Sequence, residues 1–166
     1  MSVKITKNAI TGSSGATISG FDKIYNAVWN DYADSIEVPS TTIIEPGRCY
    51  YTDGRSYYKT RSYCQRGIIG IESDTFGFTT GTARSDNKNN TLRLNISIGG
   101  FVLAYVDRGY PAGTPLTSGP NGTLVRMRLL DRMLHPERLV ARYWKSESLE
   151  SWNGVAVNGR HWVMVG

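Results

Sequence analysis

The sequence is poor in the residues that build the commonest chemical sites. It has two cysteines, Cys49 and Cys64, and two histidines, His135 and His161. That count excludes a disulfide framework and leaves either one bond or two free thiols. Both cysteines lie in tyrosine-rich segments that read as strands, so free, partly buried thiols are the expectation. A Cys₂His₂ zinc site is arithmetically available, but the spacing fits no compact zinc module, and no metal is expected. The phosphate-binding G-x-x-x-x-G-K-[S/T], the G-x-S-x-G elbow and H-E-x-x-H are all absent, and no cofactor is expected. No apolar run approaches the roughly 18 residues of a membrane helix. The opening Met1–Gly15 has no apolar core like that of a signal peptide. No run of five like charges occurs, so there is no basic tail.

What is present points to strands and turns. Glycine numbers 18 and tyrosine 10, with 40% hydrophobic and 20% charged residues. Such glycine content beside Tyr, Val, Ile and Thr favours short strands joined by tight turns. Lys and Arg number 19 against 14 Asp and Glu, a net charge of +5. This bias suits polyanions, and equally suits an ordinary cationic surface. The length of 166 residues fits one domain that can bury a core without covalent staples.

The span 1–20 reads as an N-terminal arm and linker: weak alternation over Ser2–Ile5, then a Gly/Ser/Thr-rich connector. Residues 21–166 read as the folded domain. Ile24, Val28 and Tyr32 lie at helical spacing with Asp22 as a possible cap, and an extended approach to the first strand is the alternative. Arg48–Thr52 and Ser56–Lys59 flank Asp53-Gly54-Arg55, a hairpin signal. Gly67–Ser73 alternates as a half-buried strand, and Thr79–Asn90 reads as an exposed loop. Leu92, Leu94, Ile96 and Ile98 alternate with polar residues, and Gly99-Gly100 breaks or bulges that strand before Phe101–Val106. Thr123–Leu129, Leu139–Trp144 and His161–Val165 read as further strands, with turns at Asn153-Gly154 and Asn158-Gly159. The expectation is a mainly β, compact, barrel- or sandwich-like single domain with a short N-terminal arm and little helix.

Four segments stand out in order. They are Asn26–Asp34 (NAVWNDYAD), Gly67–Gly77 (GIIGIESDTFG), Gly99–Val106 (GGFVLAYV) with Gly113–Thr117 and Ser118–Gly122 (SGPNG), and Trp152–Val163 (WNGVAVNGRHWV). Together, over about Tyr25 to Val165, they resemble the C-terminal domain of phage pre-neck appendages and prophage tail proteins. This is the intramolecular-chaperone, or peptidase G2, family. The resemblance implies a module that trimerises and supports the folding of a β-rich appendage, with some members cutting themselves at a D-Y-A-E-like element. It implies other phage tail proteins as partners, synthesis in a bacterial cytoplasm and residence in the virion. Carried to this chain, it makes Asp31 and Asp34 the candidate catalytic acids and places the cut near Asn30–Asp31. An Asx side chain can attack a neighbouring carbonyl when an acid assists, and Asp34 would move the proton. The sequence departs from the family pattern at Asn30, where cleaving members carry a small residue, and at Asp34, where Glu is usual.

Three readings follow: a homotrimeric tail-assembly module, a one-turnover self-cleaving peptidase, or a glycan- or nucleic-acid-binding module. The last would use Tyr50, Tyr51, Tyr57, Tyr58 and Tyr63 with Arg48, Arg55 and Arg61. A tyrosine-rich sheet face or subunit interface explains the same residues, and a nucleic-acid partner is not expected. Arg126, Arg128, Arg132, Arg138 and Arg142 read as a solvated face, or alternatively as an anion site at a trimer axis. His161 reads as a satisfied strand histidine and His135, before Pro136, as a turn residue.

Overall fold

The structure, a computed structural model, describes residues 3–5, 10–12, 30–80 and 91–166. The chain runs through β1 (Val3–Ile5), β2 (Ile10–Gly12), β3 (Asp31–Pro39), β4 (Cys49–Thr52), β5 (Tyr57–Lys59), β6 (Ile68–Glu72) and β7 (Phe78–Thr80). It continues through β8 (Thr91–Ala104), β9 (Pro115–Ser118), β10 (Leu124–Arg126), α1 (Leu129–Leu134), the single α-helix among the described residues, β11 (Ala141–Ser146), β12 (Ser151–Trp152), β13 (Val155–Ala156) and β14 (His161–Val165). β1 and β2 pair with each other within the expected arm. The helix expected over Ile24–Tyr32 lies largely outside the described residues, but Tyr32 itself is in β3. The loop expected over Thr79–Asn90 lies outside them from residue 81 onward, and Thr79 and Thr80 belong to β7.

The fold is mainly β and sandwich-like, as the alternation implied, and it is not a closed barrel. Its main sheet follows the order β10-β9-β11-β14-β8-β6-β4-β5, so the path has two ends. β8 is the backbone of the arrangement. Its first part, from Thr91, pairs with β3 on one side and with β6 at Ser97 on the other, and its last part pairs with β14. Gly99-Gly100 does not end the strand. It marks the change of neighbour, and the pairing with β3 slips at Tyr32/Ala33, where Ile98 is skipped.

Three clusters fill the interior. Cys49, Ile71, Val102, Leu116, Leu124, Tyr143 and Val163, contributed by β4, β6, β8, β9, β10, β11 and β14, form the first. Val38, Tyr50, Leu94 and Ile96 form the second, under β3. Leu103, Val157 and Trp162 form the third, with Trp152 of the β12–β13 hairpin packed against it. Each fully buried aliphatic side chain contributes about 1.5–3 kcal/mol relative to exposure. Cys49 and Cys64 are free and buried, and burial pushes the Cys49 thiol up to about 12, so it packs as a small apolar group.

One strand expectation is corrected. Thr123–Leu129 was expected to alternate throughout, but the strand ends at Arg126 and Leu129 opens α1. Met127 is still directed inward and buried, while Arg128 is extended and precedes the helix.

Candidate functional site

The Asn30–Asp31 junction opens β3 and lies against the bend of β8. Phe101 N–H donates to the Asn30 carbonyl at 2.8 Å, and the Asn30 side-chain amide donates back to the Phe101 carbonyl at 2.6 Å. Gly77 N–H donates to the Asp31 carbonyl at 3.0 Å. The approach depends on Gly100, which has a φ of +103°; a Cβ there would lie 2.5 Å from the Asn30 oxygen and 2.9 Å from the Asp31 Cα.

The Asp31 side chain turns inward and is 2% exposed. Its Oδ1 accepts from Ser73 Oγ at 3.1 Å and from Thr75 Oγ1 at 3.2 Å. Its Oδ2, the Ser97 hydroxyl and Glu72 Oε2 are all buried without a hydrogen-bond partner. Burial raises the Asp31 carboxyl, against the pull of the nearby Ser97, Ser73 and Thr75 hydroxyls and with a push from Asp74. Glu72 is 3% exposed. Burial first, then the charges of Asp74 and Asp31, drive it to about 8 against the opposing charge of Arg160. At neutral pH this places a protonated carboxyl beside a second buried acid.

Arg160 supplies the balancing charge. Its guanidinium grips Asp74 through two bonds, Nη1 to Oδ1 at 2.7 Å and Nη2 to Oδ2 at 3.1 Å, while Nε donates to the Val157 carbonyl. The side chain is 3% exposed, so the pair is mostly withdrawn from water on the arginine side. Glu72, Ser73, Asp74 and Thr75 are adjacent in sequence. The polar run closing the apolar Ile68–Ile71 was the local signal for them, whereas Ser97 and Arg160 carried none.

The register sets Asp31 across from Gly100 and Asp34 across from Ile96, which pairs with Glu72 on its other side. Among the described residues no group of three or more His, Cys, Asp and Glu could hold a metal ion.

The Tyr/Arg surface is dispersed. Tyr50 is fully buried, its hydroxyl donating to the Ile43 carbonyl and accepting from Glu45 N–H. Tyr51 and Tyr58 touch each other, Arg61 lies over Tyr58, and Arg48 stacks on Tyr105 at 3.7 Å. His161 is tied to the Tyr143 hydroxyl at 2.9 Å, and burial holds its imidazole below the usual value. His135 closes α1 ahead of Pro136.

A second unusual surface is α1. Leu129, Leu130, Met133 and Leu134 are 71%, 64%, 72% and 63% exposed. Their spacing of four and one puts them along one flank of the helix. The helix is fixed from below by Tyr63, whose hydroxyl donates to Asp131 at 2.6 Å and accepts from Arg128 N–H at 2.9 Å. Arg128 also lies over the Tyr63 ring. Asp131 and Tyr63 anchor the helix while its apolar residues face out.

The class defined by the fold and these two surfaces is a mainly β, sandwich-like domain with a buried acidic pocket and an uncovered apolar helix. No known protein-family model, curated protein or solved structure matches the chain.

Proposed function

We propose that the chain is a structural and assembly module of a phage or prophage tail appendage that works by associating into homotrimers. The observation that carries this reading is the flank of α1. Four large apolar side chains on a six-residue helix, all more than half exposed, gain free energy if another surface covers them. They amount to an apolar patch on the order of 500 Å², at the upper end of what monomers expose and characteristic of an interaction surface. The ordered resemblance of the four sequence segments supplies the tail setting, with other tail proteins as further partners. Sedimentation at micromolar concentration tests the association: a trimer is expected, and a monomer overturns the reading. Peptides of the chain found in purified particles, and absent from empty-host controls, test the setting.

A second reading, one cut of the chain at Asn30–Asp31, is favoured by the geometry of that junction. The Asn30 side-chain nitrogen attacks its own carbonyl carbon, the bond to Asp31 nitrogen breaks, and the amide proton passes to that nitrogen. The products are a succinimide ending at Asn30 and a free amine at Asp31. Phe101 N–H donates to the Asn30 oxygen and would stabilise charge there, and the protonated Glu72 carboxyl is the nearby acid. Intact mass after prolonged incubation decides it. Cleavage with a lighter, water-loss fragment, abolished in Asn30→Ala and slowed in Asp31→Ala and Asp34→Ala, is expected. A persistent full-length mass discards it.

A further inference from the structure

The apolar flank of α1 is rimmed by exposed Arg126, Arg128 and Arg132. This rim decides what can cover it. Two copies meeting through the same flank would bring their arginines together, and like charges facing across an interface oppose association. A twofold contact of α1 on α1 is therefore disfavoured, and the flank needs a different surface carrying the opposite sign. A contact between two different surfaces of one chain is head to tail, and it closes into a ring when the rotation allows.

The same chain offers such a surface at the far end of β11. Trp144 is 48% and Leu149 57% exposed, so both retain apolar area to bury. Phe101 packs on the Trp144 ring at 5.4 Å and gives it a rigid base. Glu150, next to Leu149 in the chain, is exposed. Glu147 is fixed there by the Trp162 indole N–H, which donates to it at 2.7 Å, and this bond holds its carboxyl below the usual range. Lys145 is the one cation of this stretch, so it carries a net negative charge opposite to that of the α1 rim. An aromatic with a leucine, edged by carboxylates, is the complement of leucines and a methionine edged by guanidiniums.

We infer that α1 of one copy packs onto the Trp144–Leu149 surface of a second copy, head to tail, and that this contact closes the ring. The inference rests on the homotrimer reading and names its interface. β10, which leads into α1, ends the sheet path, and Trp144 lies two strands along it in β11, so one protomer carries both halves. Each subunit then gives its helix to one neighbour and receives a helix from the other.

Charge reversal with sedimentation equilibrium of the whole chain tests it. Arg132→Glu and Glu150→Arg are each expected to weaken association by about tenfold or more, and the double variant to recover most of the loss. Leu130→Asp is expected to abolish association while the circular dichroism of the fold is retained. A wild-type trimer whose association is indifferent to all of these changes overturns the interface and leaves the trimer standing. A trimer in which the single reversals weaken association without rescue in the double also overturns the pairing. A wild-type monomer overturns the interface and the trimer together.

Discussion

The pocket under β3 and the flank of α1 break the usual rule of burial in opposite directions. Under β3 the chain withdraws Asp31, Glu72 and Arg160 from water and leaves three polar atoms without partners. Along α1 it holds four large apolar side chains in water, on a helix with no buried residue of its own. Both choices cost free energy in an isolated domain. A pocket that is costly inside one chain can only be used by that chain, as a proton reservoir or a chemical site. A surface that is costly outside can be relieved by another chain. The first region therefore bears on what the protein does to itself, and the second on what it assembles with.

The comparison breaks most visibly at Arg160. Arg160→Met removes the cation paired with Asp74, whose side chain keeps 28% exposure, and the bonds to the Val157 and Ala156 carbonyls. Loss of one partner of a buried pair costs about 3–5 kcal/mol, and water reaching Asp74 puts this one at the lower end, so the denaturation midpoint falls in urea titrations. Gly100→Ala comes next. The substituted residue would hold a left-handed φ with its Cβ 2.5 Å from a backbone oxygen, a cost of about 2–4 kcal/mol. Its effect is expected to include loss of amide protection at Phe101 and Gly77, the two donors to the junction, in hydrogen exchange. Unchanged protection there would show that β8 does not need glycine to approach Asn30.

Acidity sharpens the contrast further. The folded Glu72 keeps its proton up to about 8, whereas its ordinary value is 4.5. Between those values the unfolded chain has released a proton that the folded chain still holds, so rising pH favours unfolding. The stability this carboxyl contributes is complete below pH 4.5 and is lost as pH climbs through about 8. Asp31, also raised, adds in the same direction. Between pH 4.5 and about 7 the loss is on the order of 3 kcal/mol. Glu72→Gln is expected to flatten the fall of stability with pH, read from denaturation midpoints across that range. A wild-type midpoint that rises over the same interval would contradict a protonated Glu72.

The two regions also differed in how far the sequence disclosed them. Local period made most strands legible: the alternation of Leu92 to Ile98 is the first part of β8, and Asp53-Gly54 is the turn between β4 and β5. It left Tyr32 open between a helical spacing and an extended approach, and pairing with β8 draws it into β3. α1 was hidden because six residues give too little period to separate a helix from the end of a strand, and Arg128 before it is extended. Asp31 was visible through a resembling element. That Ser73, Thr75 and Ser97 surround it was not, since these residues lie far along the chain and meet Asp31 only when the sheet forms.

The smallest expected effect on stability falls at α1, and it is the most discriminating. Leu130→Ala and Met133→Ala remove apolar atoms that water already surrounds, so no cavity forms and no burial is lost within the chain. Helix propensity favours alanine slightly, and the anchoring bonds of Asp131 and Arg128 to Tyr63 are untouched. The unfolding free energy of the monomer should shift by no more than about 0.5 kcal/mol, measured in dilute urea titrations. A loss of 2 kcal/mol or more, about the size of a core truncation, would mean that these side chains pack within the protomer. The flank would then cease to be an unmet surface, and the opposition between the two regions would reduce to the pocket alone.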